Sequence, residues 1–245
     1  MKMTPLGLVG LLSVVLVLIP LQAEMVAGRI VITKTLTRRR VTALVPLYDR
    51  GPVVGLEMDT EYDPLAFERS RVVVYLEGTT AGSPQPNGLQ LLAKIDQEKR
   101  RFSPETLIVA AGSKVSFPNF DPIFHNVFSL SRAKTFDLGN YRMGETRMVT
   151  FPVPGIVFVN CHLHPNMSAT IVVAPNQWNA RADRDGAFEL HDVPPGRYTI
   201  VAWHKVAGFF RQRIDVTAGQ GARVEFLIPV RQEKSDPETP RTAVK

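Results

Sequence analysis

Beyond residue 23, no stretch of this 245-residue chain repeats its apolar residues at the helical period; they come in short runs broken by glycine and proline. Thr106–Ala110, Lys114–Phe117, Asn126–Ser129, Thr146–Phe151, Ile156–Asn160 and Ala169–Val173 each read as a strand. Gly112, Asp121-Pro122, Gly139 and Pro154-Gly155 mark turns between them. Strands this short must share a core, because a lone hairpin leaves its apolar face in water. The pattern therefore predicts an all-β fold, a sandwich or barrel.

The rest of the chain divides around that region. Arg29–Thr33 and Val41–Leu47 are further β-prone runs, and Arg38-Arg39-Arg40 between them reads as a solvated turn. Residues 56–70 are polar and weakly patterned, which predicts a linker or long loop, and 79–87 predicts a loop. Arg71–Glu77 contains five apolar residues in succession, Val72 to Leu76, as in a strand covered on both faces. From Pro175 a second unit begins: Asp183-Arg184-Asp185-Gly186 is a tight turn, Phe188 and Leu190 alternate with polar residues, and Tyr198–Trp203 and Val224–Ile228 are strands. At roughly 55 residues it is marginal for burying a core of its own, so it should pack on the first domain or borrow a strand from it. The expected division is 1–23, 24–70 (β segment and linker), 71–174 (larger sandwich), 175–230 (smaller β-unit) and 231–245, a charged, proline-containing tail expected to be disordered.

Residues 1–23 have the form of a signal peptide: Lys2, an apolar run from Leu6 to Leu21, and the small residue Ala23. The alternative is an uncleaved anchor, although the run is short of the roughly 20 residues a span needs. Cleavage would leave no membrane insertion and a periplasmic or otherwise extracytoplasmic chain. It would remove one charge, Lys2, from a formal net charge of +6. Basic residues form no stripe interleaved with aromatics, so nucleic-acid binding is not expected. Export also makes the cysteine count informative. Cys161 is the one cysteine, and an exported thiol with no disulfide partner calls for another occupant, such as a metal ion.

The segment Val157-Phe158-Val159-Asn160-Cys161-His162-Leu163-His164-Pro165-Asn166-Met167 supplies the donors. A buried strand ends at a thiol, with an imidazole three residues on and a thioether three beyond that. Thiolate and thioether select copper, and two His with one Cys in a plane plus a weak axial Met make a blue-copper site. The second imidazole must come from elsewhere, and His125 stands at a loop-to-strand junction among apolar residues. Four protein ligands leave little room for a substrate, unlike an open catalytic metal centre.

Cys161-x-x-His164-x-x-Met167 with His125-Asn126-Val127 upstream resembles the amicyanin-type cupredoxins across roughly 71–174. The resemblance implies a Greek-key β-sandwich, one mononuclear type 1 copper held by His125, Cys161, His164 and Met167, and an Asn126 that ties the two ligand loops together. The whole chain is similar to exported plastocyanin-like proteins of the methylamine-utilisation type. Those carry a second, carboxypeptidase-regulatory-like (transthyretin-like) β-domain, matched here by Asp183–Phe188 and Val193–Tyr198. The function implied is electron transfer without enzymatic turnover, through transient docking of a redox partner at the His164 edge, where Pro165 and Asn166 shape the surface.

Two rival functions remain: a copper carrier or sensor that does not cycle, and a copper reductase using His162 at a second centre. Five histidines, two of them taken by the site, are too few for a trinuclear cluster in one chain. His162 is expected to be exposed or to act behind the ligands, and Trp203-His204 to be a core tryptophan beside a surface histidine. Phe117, Phe120, Phe124, Phe128 and Phe151 are expected in the core, Met143 and Met148 in packing or at the surface. Asp63, Asp121 and Asp137 have no assigned role. Oligomeric state is not legible.

Overall fold

The structure is a computed structural model that describes residues 23–37, 63–78 and 92–229. The leader, the Val41–Leu47 run, the 79–87 loop and the 231–245 tail lie outside the described residues, wholly or, for the leader, up to Ala23.

Among those residues the chain is nearly all β. It starts with β1 (Glu24–Ile32), one short helix α1 (Pro64–Arg69) and β2 (Val73–Glu77). The larger sandwich follows: β3 (Leu92–Lys94), β4 (Asp96–Glu98), β5 (Arg101–Ser103), β6 (Thr106–Ala110), β7 (Lys114–Pro118), β8 (His125–Ser131), β9 (Lys134–Tyr141), β10 (Thr146–Thr150), β11 (Gly155–Asn160) and β12 (Ser168–Ala174). The chain then runs through β13 (Asn179–Arg181), β14 (Ala187–Val193), β15 (Gly196–His204), β16 (Gly208–Val216) and β17 (Ala222–Ile228). The helix falls where the sequence predicts a linker. Asp63 caps it by accepting the Leu65 N–H, a local signal too short to carry an apolar period.

The larger sandwich sets the sheet β6-β12-β11-β8-β9 against β10-β7-β3, with the β4–β5 hairpin at its side. Val115, Phe117, Phe151, Val157, Val159 and Ile171 fill the space between them. The smaller sandwich sets β14-β1-β17 against β13-β2-β15-β16 around Ile30, Leu76, Trp178, Phe188 and Ile200. Both of its sheets take a strand from the N-terminal part of the chain. β1 lies between antiparallel β14 and parallel β17, and β2 lies between β13 and β15. Strand pairing thus departs from the linear division at Arg71: Val73–Glu77 belongs to the sheet of the second unit, and the larger sandwich is inserted between β2 and β13. The borrowed strands supply the core that some 55 residues could not.

A third apolar layer joins the two sandwiches. Val73 and Tyr75 of β2 and Val201 and Trp203 of β15 pack on Val172 and Ala174 of β12, with Ile108 and Ile156 alongside. This is why the Val72–Leu76 run is apolar throughout: alternate residues face the smaller core and this seam.

Candidate metal centre

Strand order brings the donors together at one end of the five-stranded sheet. β11 and β12 are antiparallel neighbours, so the Cys161–Met167 loop that joins them folds back tightly: the Cys161 N–H donates to the Met167 carbonyl and the Met167 N–H to the His164 carbonyl. β8 lies on the other side of β11 with Phe128 opposite Asn160, which carries His125, the first residue of β8, to the same end. His125 Nδ1 and His164 Nδ1 are 3.1 Å apart, and Cys161 Sγ is 4.0 and 3.7 Å from them. Among the described residues this is the one group of three potential ligands drawn from His, Cys, Asp and Glu. His125 is fully buried, Cys161 and Met167 are buried, and His164 keeps one edge toward solvent. The Met167 side chain lies in the same apolar cluster as Cys161.

The donor set fits a soft first-row ion. Bonds of about 2.0 Å to imidazole nitrogen and about 2.3 Å to sulfur are normal, and each of the three separations is shorter than the sum of two such bonds. Two imidazoles also have no reason to aim their Nδ1 atoms at one point, 3.1 Å apart, unless a proton or cation lies between them. Burial, then the neighbouring His125 and Arg100, lower the His164 pKa below the ordinary imidazole value against the pull of Asp121, so His164 is neutral at pH 7 with its lone pair available. The Asn126 backbone N–H points at Cys161 Sγ, 3.5 Å away, as a donor to a thiolate would.

Two carboxylates stand behind the donors, Asp121 and Asp137, neither assigned a role from sequence. Asp121 Oδ2 lies 2.7 Å from His125 Nε2 and takes the Arg100 N–H at 2.8 Å; its Oδ1 takes the Lys99 N–H at 2.6 Å. Burial raises its pKa, but those two N–H groups and the imidazole outweigh it, leaving Asp121 below the usual carboxylate value. Lys99 and Arg100 form the two-residue β4–β5 turn with φ of 55° and 56°. Such turns favour Asn-Gly, and a non-glycine residue there costs on the order of 1–3 kcal/mol. The signal available in sequence is the Asp-Pro turn four residues before His125; the partner turn carries none.

Asn126 behaves differently from the resemblance. Its side-chain amide donates to Asp137 Oδ1 at 2.7 Å on β9, and its Oδ1 is buried without a partner, so the tie to the ligand loop is made by its backbone. Asp137 also takes the Gly139 N–H at 2.9 Å. This is possible because β9 carries one extra residue opposite Asn126–Phe128, with Gly139 at φ 67°. His162 is exposed, stacks on Phe128 with ring centroids 3.6 Å apart, and lies 3.8 Å from Asp137 Oδ2.

Other expectations are revised. His204 is fully buried, 3.2 Å from an equally buried Glu68, while Trp203 fills the seam between the sandwiches. Phe117 and Phe151 are core residues and Phe128 is half-buried, but Phe120 and Phe124 are exposed on the segment leading to His125. Met143 and Met148 are exposed at the surface. Asp63 caps the helix.

Fold and cluster together define a β-sandwich with a His–Cys–His site at one end of its five-stranded sheet, joined to a second β-sandwich. Comparison with known proteins adds the following. Residues 165–224 match a family model described as polysaccharide lyase family 4, domain II. Similar solved structures include a purple cupredoxin from Nitrosopumilus maritimus, at 22% identity over 33% of this chain and 98% of that one, TM-score 0.30. They also include a variant of amicyanin in its Cu(I) state, at 21% identity over 34% and 81%, TM-score 0.32. A copper-containing nitrite reductase from Thermus scotoductus shares 23% identity over 40% of this chain and 25% of the enzyme, TM-score 0.33. No curated protein sequence matches the chain.

Proposed function

We propose that the chain is an exported, non-enzymatic carrier of single electrons, using one copper ion held by His125, Cys161 and His164 with Met167 as a weak fourth donor. The observation that supports this most is the convergence of two Nδ1 atoms and one thiol sulfur within 4.0 Å of one another at the end of a five-stranded sheet. With copper bound, His125, Cys161 and His164 with Met167 would hold an ion suited to one-electron exchange. The chain's part is to hold that arrangement. β8 and β11 are fixed by sheet pairing, and the Cys161–Met167 loop is closed by two backbone hydrogen bonds.

His164 is the donor with an edge toward solvent, and Phe124 and Leu163, beside ligands in sequence, expose large apolar side chains. A redox partner would meet this end through a small, transient contact. Export rests on the Lys2–Ala23 leader pattern. No described helix is long and apolar enough to cross a membrane.

The test is the visible and electron-spin spectrum of the copper-loaded chain beside Cys161→Ser. Intense thiolate-to-copper absorption in the parent and its loss in the variant is the expected pair. A parent that binds copper without that band sinks the reading. Slow electron self-exchange with ready copper loss would favour the carrier or sensor, and two coppers per chain the reductase using His162.

A further inference from the structure

We propose that Asp121 is the positioning residue of this centre: clamped by the β4–β5 turn, it fixes the tautomer of His125 and biases the site toward the more highly charged, oxidised ion. The inference rests on the copper reading above, and it concerns a residue from outside the ligand set.

The geometry leaves the His125 ring one arrangement. Its Nε2 is 2.7 Å from Asp121 Oδ2, and a carboxylate whose two oxygens already take backbone N–H groups serves as an acceptor. The proton of a neutral ring must therefore sit on Nε2, which leaves Nδ1, the atom facing Cys161 and His164, with its lone pair free. The other two contacts of Asp121 are independent of the imidazole. The Lys99 and Arg100 N–H groups converge on its two oxygens from a turn that both residues enter at positive φ. Its own N–H is held by Asn119 Oδ1 at 2.9 Å. The amide of Asn119, fully buried, in turn holds the Ile123 and Tyr141 carbonyls at 2.9 and 3.1 Å. The carboxylate is thus held in place from the side away from the metal site. Its full negative charge, beside a ligand that is itself shielded from water, favours whichever state of the ion carries more positive charge.

The test compares the parent chain with Asp121→Asn, which keeps the shape and removes the charge. Cu(II) and Cu(I) affinities are measured by competition, the midpoint potential by titration, and metal-free stability by urea unfolding. Loss of an outer partner of this kind weakens metal binding by about 10–100-fold. Here the loss should fall mainly on Cu(II), so that the potential rises. Equal loss for both oxidation states, with an unchanged potential, would make Asp121 a structural residue and overturn the proposal. Should the variant not fold, the parent decides. In the metal-free chain, long-range proton–nitrogen spectra should show the His125 proton on Nε2 and protected from exchange. A mixture of tautomers, or rapid exchange at Nε2, would overturn the proposal as well. That measurement needs no copper, so a parent that binds none would refute the copper reading while the tautomer still decides this one.

Discussion

Truncating Trp203 to alanine should destabilise the whole described chain, because that side chain joins the two sandwiches. Trp203 is 4% exposed, on the face of β15 that points away from the smaller core, and it packs in the layer formed with Val73, Tyr75, Val172, Ala174 and Val201. An indole of this kind buries about 150–250 Å², which at about 25 cal/mol per Å² corresponds to about 4–6 kcal/mol of transfer energy. Measured losses for large aromatic-to-alanine changes in cores run about 3–5 kcal/mol, and that is the expected cost. For a chain of this size it corresponds to a fall in Tm of about 6–20 °C. Urea unfolding followed by far-ultraviolet dichroism gives the loss directly. In the copper-loaded protein the thiolate band should disappear in the same transition, since a buried apolar seam between the sandwiches couples their unfolding. Val206→Ala, at an exposed position in the next turn, is the control and should change stability by no more than about 0.5 kcal/mol. A loss below about 1 kcal/mol for Trp203→Ala, or a copper band that outlasts the dichroic transition, would refute the idea that this seam couples the two halves.

Met167→Leu conserves volume in a buried position, so stability should change by less than about 1.5 kcal/mol, while the potential of the copper-loaded protein rises; an unchanged potential would remove the thioether from the ligand set. Gly28→Ala should cost about 1–3 kcal/mol in a urea titration, because a Cβ there would lie 2.3 Å from the Val224 carbonyl oxygen and 2.4 Å from the Phe188 ring; a neutral substitution would mean that β1 and β17 lie farther apart than described. Burial lowers the His204 pKa below its ordinary value, with Glu68 pulling the other way. The unfolded chain therefore binds that proton more tightly, so the stability is complete above about pH 6.5 and declines as pH falls toward the folded-state value. The urea midpoint of the metal-free protein should drop as pH falls from about 6.5 to about 5, with a shallower dependence in His204→Gln; parallel profiles would contradict the assignment.

Much of the candidate site was legible because its information is local. The Cys161 and His164 donors and the three-residue spacing between them depend on one loop, and the strand before it announces itself by a run of apolar residues. His125 was legible for a similar reason, since it stands where a proline turn gives way to a β-run. Asp121 and Asp137 were not, because their roles come from contacts across strands: a Lys99–Arg100 turn without the residues that usually mark one, and an extra residue in β9 opposite Asn126. His204 looked like a surface residue because its partner, Glu68, lies in a helix too short to show a period.

The sequence by itself determined the all-β class and the chemical character of the donors, which follow from steric preference, alternation and ligand softness within a few residues; of the turns it marked some, while Gly139, read as a turn, lies inside β9 where the extra residue falls. Only the tertiary structure decided that β1 runs parallel to β17, that β2 completes the second sandwich, and that a carboxylate stands behind His125. Pairing between distant strands is selected by the apolar area that a whole assembly buries, and no short window of residues carries that sum.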